Sequence, residues 1–185
     1  MPELLDVVDP SGTPLGRAKP RDAVHRDGDR HRTVHVWIVN KKSELLFQKR
    51  SLNRESFPGT WDVSSAGHVS SGDSPIRTAE KELCEELGIR AAAQELRLLF
   101  TIATSSVQHE GKFIDNEISD VFLLRQGIPV SGLSLQRSEV TGVRYFPINV
   151  LRRIAASPGP DFSPHPEEYR RLYDFLSAKE QGRKT

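Results

Sequence analysis

The chain has 185 residues, 36% hydrophobic and 28% charged, with 26 Lys and Arg against 25 Asp and Glu and a net charge of +1. That length supports one sizeable core and is short for two, and the balanced charge lacks the basic excess that a nucleic-acid polymer calls for, while leaving room for a nucleotide-sized ligand. A single cysteine, Cys84, excludes an internal disulfide and suits a reducing cytoplasm; the start, MPELLDVVDP, shows no basic segment followed by an apolar run, and no stretch approaches about 20 apolar residues.

In chain order, Leu4 to Val8 reads as a strand within an amino-terminal segment, residues 1–30. Val34 to Val39 and Glu44 to Lys49, joined by a turn at Asn40 to Ser43, read as a hairpin. Asp62 to Ser65 is a short strand leading into a glycine-rich loop, and a helix follows. Asp73 or Ser74 caps that helix, Pro75 fits its first turn, and Gly88 ends it in a left-handed conformation. Leu96 to Thr104, Phe113 to Leu124 and Val140 to Phe146 are β-rich. Helices are predicted over Ile148 to Ala156 and Glu167 to Lys179, separated by the Pro-rich SPGPDFSPHP, with residues 180–185 a frayed tail. Strands interleaved with few helices predict a single α/β domain over 1–185, built on a mixed sheet covered on both faces.

The helix carries the most informative feature. Ile76, Ala79, Leu83 and Leu87 form its apolar stripe, and Glu82, Glu85 and Glu86 centre more than about 90° away from it. Like charges at three- and four-residue spacing destabilise a helix by about 0.2–0.5 kcal/mol per pair, and only Lys81 supplies a nearby cation. A solvated helix face is the ordinary fate of a charge run. A bound cation is the alternative, and Mg2+ is the natural one, because it takes hard oxygen ligands and bridges to phosphates. Cys84 lies in this helix as an ordinary small residue.

The segment GHVSSGDSPIRTAEKELCEELGI resembles the signature box of the Nudix hydrolases: Gly67, Glu82, Leu83, Glu85, Glu86, Gly88 and Ile89 fall on its pattern. Asp73 stands where the family has Glu and Lys81 where it has Arg, a pair that braces loop against helix in the family. The resemblance implies an α/β/α sandwich and a metal-dependent hydrolase acting on a small-molecule diphosphate. It assigns Glu85 and Glu86 to Mg2+, with Mn2+ an alternative, Glu82 to metal or water, and the Gly67 carbonyl to the same shell.

A second set is similar to isopentenyl-diphosphate isomerases of the same superfamily, where histidines and an acid-Asn-acid segment surround a divalent metal. His31, His68, Asp115 and Glu117 match those positions, and His25 matches if its loop shifts by one residue. Glu117 is also the outer carboxylate best placed for a catalytic or metal-binding role. By themselves His25 and His31 read as exposed loop residues, His35 as a strand residue facing solvent or a hydrogen-bond partner, and Asp115 and Asp120 equally as turn or edge residues. Lys49 and Arg50 read as a phosphate contact or a solvated strand end, and Phe57 and Trp61 as core packing or substrate stacking. The isomerase cysteine is replaced by Ala66, and a methyl group cannot exchange a proton. Hydrolysis, with Glu82 or Glu117 activating water, is therefore expected ahead of isomerisation or of a nucleotide-binding module without catalysis. Substrate identity stays open, as does the choice between monomer and homodimer.

Overall fold

The structure is a computed structural model, and it describes residues 2–181. In chain order the elements are β1 (Leu4–Val8), β2 (Pro14–Pro20), α1 (Arg21–Asp27), β3 (Arg30–Val39), β4 (Glu44–Arg50), β5 (Trp61–Asp62), β6 (Ser65–His68), α2 (Pro75–Leu87), β7 (Leu96–Gln108), β8 (Phe113–Arg125), β9 (Val140–Pro147), α3 (Asn149–Ala156) and α4 (Pro166–Gln181). Two compact units are formed, Met1–Trp37 with Ser65–Leu124, and Ile38–Ser64 with Arg125–Thr185.

In the first unit, β1 and β2 make an antiparallel hairpin, β6 pairs with β3 from Thr33↔His68 to Val36↔Ser65, and β7 pairs with β8 along twelve register positions from Leu96↔Leu124 to Gln108↔Phe113. Val34, Val36 and Trp37 are fully buried, as are Leu5, Ala79, Leu83 and Leu87. The predicted stripe of α2 is thus its core face, although Ile76 is only half-buried. Gly88 ends α2 at φ 70° with its N–H on the Cys84 carbonyl, as expected. Ser74 occupies the cap position without a side-chain bond.

β2 and α1 were not expected. β2, PLGRAKP, is mostly exposed and pairs with β1, so it carries no apolar alternation. α1 is seven residues long, bounded by Pro20 and by left-handed Gly28, whose N–H bonds the Val24 carbonyl. The strand expected over Asp62 to Ser65 divides instead into β5, on β4, and β6, on β3. Ser64 explains the break: its hydroxyl donates to the Leu46 carbonyl at 2.5 Å and accepts the Ile38 N–H at 2.8 Å, where a strand would use ladder bonds.

In the second unit, β4 pairs with the end of β3, with β5 and with β9, from Glu44↔Pro147 onward. Phe47, Phe146 and Phe162 meet edge to face at 5.2–5.8 Å, and Trp61 packs on Phe146 at 5.3 Å. Trp61 therefore contributes to packing, with Lys49 over its ring at 5.2 Å. Arg50 is not a solvated strand end: it is buried, and its guanidinium donates to Asp62 at 2.8 Å and to Ser56. α4 runs two residues into the segment expected to fray, and residues 182–185 of that segment lie outside the described residues.

Candidate active site

The three box glutamates differ in depth. Glu86 is 1% exposed, Glu82 has a side chain 14% exposed, and Glu85 is half in solvent at 51%. The expectation that all three lie to the side of the core fails for Glu86, because β6 comes close enough to α2 to receive it. Ser65 Oγ donates to Glu86 Oε2 at 2.5 Å and the Ala66 N–H donates to the same oxygen at 3.1 Å. Hydrogen bonds to a charged acceptor are the means by which a buried carboxylate is retained. Lys81 lies 3.9 Å from both Glu82 and Glu85.

Glu82 lies directly against Gly67. A Cβ built on Gly67 would fall 2.3 Å from Glu82 Cδ and 2.6 Å from its Oε1, inside any contact distance. This contact explains the glycine at the head of the box better than backbone freedom does.

Gly67 and His68 are in β6, not in a loop. The segment that follows is held by β1: the Ser71 N–H donates to the Leu4 carbonyl at 2.7 Å, Ser71 Oγ to Asp6 Oδ1 at 2.7 Å and Ser70 Oγ to Glu3 at 3.1 Å, while Leu5 bridges to Ser70. Asp73 is exposed, and the cation at Lys81 faces Glu82 and Glu85. The tether of this loop is therefore the amino-terminal strand, which the sequence reading did not connect with the site.

A second cluster adjoins at His68. His25, His31, His68 and Asp115 bring one ligand atom each to within 4.8 Å of one another. His25 comes from α1, His31 from β3, His68 from β6 and Asp115 from β8, so the site is made only when four elements fold together. His25 and His31 are 2% and 0% exposed, which overturns their reading as exposed loop residues. Each anchors Nδ1 on a backbone carbonyl, of Arg21 at 2.8 Å and Asp29 at 3.1 Å, and aims Nε2 at Asp115 Oδ1 from 3.5 and 3.6 Å. Phe113 stacks on His25 at 4.4 Å. Burial holds the His31 imidazole below its ordinary pKa, which favours the neutral, ligand form. Burial alone would raise Asp115; the His25 and His31 rings against it outweigh this and leave the carboxyl below its usual range.

His25 Nε2, His31 Nε2 and Asp115 Oδ1 are buried without a hydrogen-bond partner. Convergent orphan atoms of this kind fit a cation, and three imidazoles with a carboxylate are a donor set for a divalent transition metal more than for Mg2+. Glu117, two residues along β8 on the same strand face, lies beside Asp115. The other candidates fall elsewhere. Asp120 accepts Arg32 and Thr101, the latter at 2.6 Å, and His35 is buried opposite Ala66.

Mixed strands with flanking helices, and a glutamate-bearing helix laid on a glycine strand, make an α/β fold. A NUDIX domain model matches residues 29–171, and the chain belongs to the Nudix family as a Nudix hydrolase. It is 42% identical over 94% of its length to Nudix hydrolase 3 of Arabidopsis thaliana, and spans 23% of that relative. It is 40% identical to an uncharacterized Nudix hydrolase of Clostridium acetobutylicum, over 82% of the chain and 73% of the relative. Isopentenyl-diphosphate isomerases also match, that of Pectobacterium atrosepticum at 28% identity over 82% of the chain and 81% of its own length. A Deinococcus radiodurans crystal structure shares the fold with a TM-score of 0.72 at 24% identity, covering 92% of this chain and 99% of that one. Among the described residues no helix is long and apolar enough to cross a membrane.

Proposed function

We propose that the chain cleaves the phosphoanhydride bond of a nucleoside or other organic diphosphate, with a divalent cation held at Glu82, Glu85, Glu86 and the Gly67 carbonyl. The observation that carries this is the graded carboxylate set: Glu86 buried and fixed, Glu82 seated on Gly67, and Glu85 open to an incoming ligand. Mg2+ suits these oxygen donors, with Mn2+ the alternative. Bound there, the cation supplies neutralisation of phosphate oxygens and acidifies water. The chain's own part is positional and protonic. Ser65 and the Ala66 N–H hold the Glu86 carboxylate in place. Glu82, largely shielded beside β6, or Glu117 on β8 accepts the proton of attacking water.

The imidazole cluster of His25, His31, His68 and Asp115, flanked by Glu117, is read as a second cation site, adjacent through the consecutive residues Gly67 and His68. Its donors, together with the similarity to isopentenyl-diphosphate isomerases, favour an isomerase-like reading. Ala66 opposes that reading, because a methyl group stands where the isomerases carry their cysteine and its N–H is given to Glu86.

Glu85→Gln and Glu86→Gln, assayed in excess Mg2+ against nucleoside diphosphates, sugar nucleotides, thiamine diphosphate and prenyl diphosphates, test the assignment. Each is expected to lower kcat at least about 100-fold, the scale of losing one preorganised charge-stabilising group. Unaltered hydrolysis in both variants would exclude this site, and tight binding with no turnover by the wild type across the panel would indicate a binding module.

A further inference from the structure

β7 is thirteen residues long, and among the described residues it pairs with β8 alone, so its other edge offers a row of backbone donors and acceptors. From Leu98 to Gln108, LLFTIATSSVQ, it has neither a charge nor a proline. Its one register shift is at Leu98/Phe100, and the pairing from Phe100 to Gln108 continues without a bulge. Proteins ordinarily block a strand edge with charge, proline, bulge or brevity. β2, which among the described residues pairs with β1 alone, shows that protection: it carries Arg17 and Lys19 between Pro14 and Pro20. β7 carries only Arg97 and the bulge, both at its start, and beyond them Val107 is 63% exposed beside exposed Ala103 and Ser105.

We propose that the edge of β7 is an interface through which the chain pairs, antiparallel and across a two-fold axis, with a second copy of itself. A two-fold axis sets a strand against its own sequence, so any charge in it meets itself or a neighbour. An uncharged run removes that penalty, whereas a charged partner strand would find nothing to complement. With the axis at Ala103, within the regular stretch from Phe100 to Gln108, Thr101 faces Ser105, hydroxyl against hydroxyl, a favourable cross-strand pair.

Sedimentation equilibrium of the full chain tests this with wild type, Ala103→Lys, Ala103→Glu and an equimolar mixture of the two variants. Ala103 is exposed, so the fold should be retained, and circular dichroism verifies it. Wild type is expected to dimerise reversibly in the micromolar range. Each variant should weaken dimerisation about fivefold or more, through like charges placed opposite each other, and the mixture should recover it. A wild type that stays monomeric, a dimer indifferent to Ala103→Lys, or a mixture no tighter than either variant alone would overturn the proposal.

Discussion

Gly67 and Glu82 show how a single missing carbon sets the site. With Glu82 Cδ 2.3 Å from where a Cβ would stand, Gly67→Ala must push the carboxylate away while leaving the rest of β6 paired. The expected result is a roughly 10–100-fold loss of kcat, on the scale of a catalytic group displaced by about 1 Å, with a small change in melting temperature. Steady-state kinetics beside a thermal melt checks it; an unchanged kcat would mean that the seat of Glu82 on Gly67 does not matter. The spacing of Gly67, Glu82, Glu85 and Glu86 was legible because the motif is local and helical. The burial of Glu86 was not, since helical periodicity records the angle between residues and not how near another element approaches. Ser65 and Ala66, which hold that carboxylate, carry no signal of their own in the sequence.

Among the elements, those with period and punctuation were readable and those without were missed. α2 has an apolar stripe, a proline at its start and Gly88 at its end. α1 has one buried apolar residue, Val24, and its bracketing by Pro20 and Gly28 was the available signal. That omission matters for the site, because α1 turns His25 from a loop residue into a buried member of the imidazole cluster. β2 had no pattern to find. Arg50 on β4 was misjudged because its ion-pair partner comes from another strand: Asp62 accepts Arg50 at 2.8 Å and faces His165 at 3.0 Å, with the Val63 N–H also bonded to it. Removing the cation from a buried pair leaves a stranded charge, so Arg50→Met is expected to cost about 3–5 kcal/mol of unfolding free energy in denaturant. A loss under about 1 kcal/mol would show the pair to be solvent-screened in the manner of surface bridges.

At the scale of the whole molecule, the α/β class followed from the order of strands and helices, and the family followed from one short segment. The pairing partners did not, because register depends on contacts distant in sequence. The tether between β1 and the Ser70–Ser71 loop joins residues 65 or more positions apart, and it begins before residue 29, where the family match starts. The central claim is that these glutamates serve anhydride hydrolysis and not proton exchange at carbon. The most direct measurement incubates the full chain with Mg2+ in heavy water, with a diphosphate panel that includes isopentenyl diphosphate, and follows 31P signals together with deuterium content. The account predicts cation-dependent appearance of anhydride-cleavage products from at least one diphosphate, with no deuterium entering the isopentenyl chain. Deuterium uptake into isopentenyl diphosphate without phosphate release would contradict it.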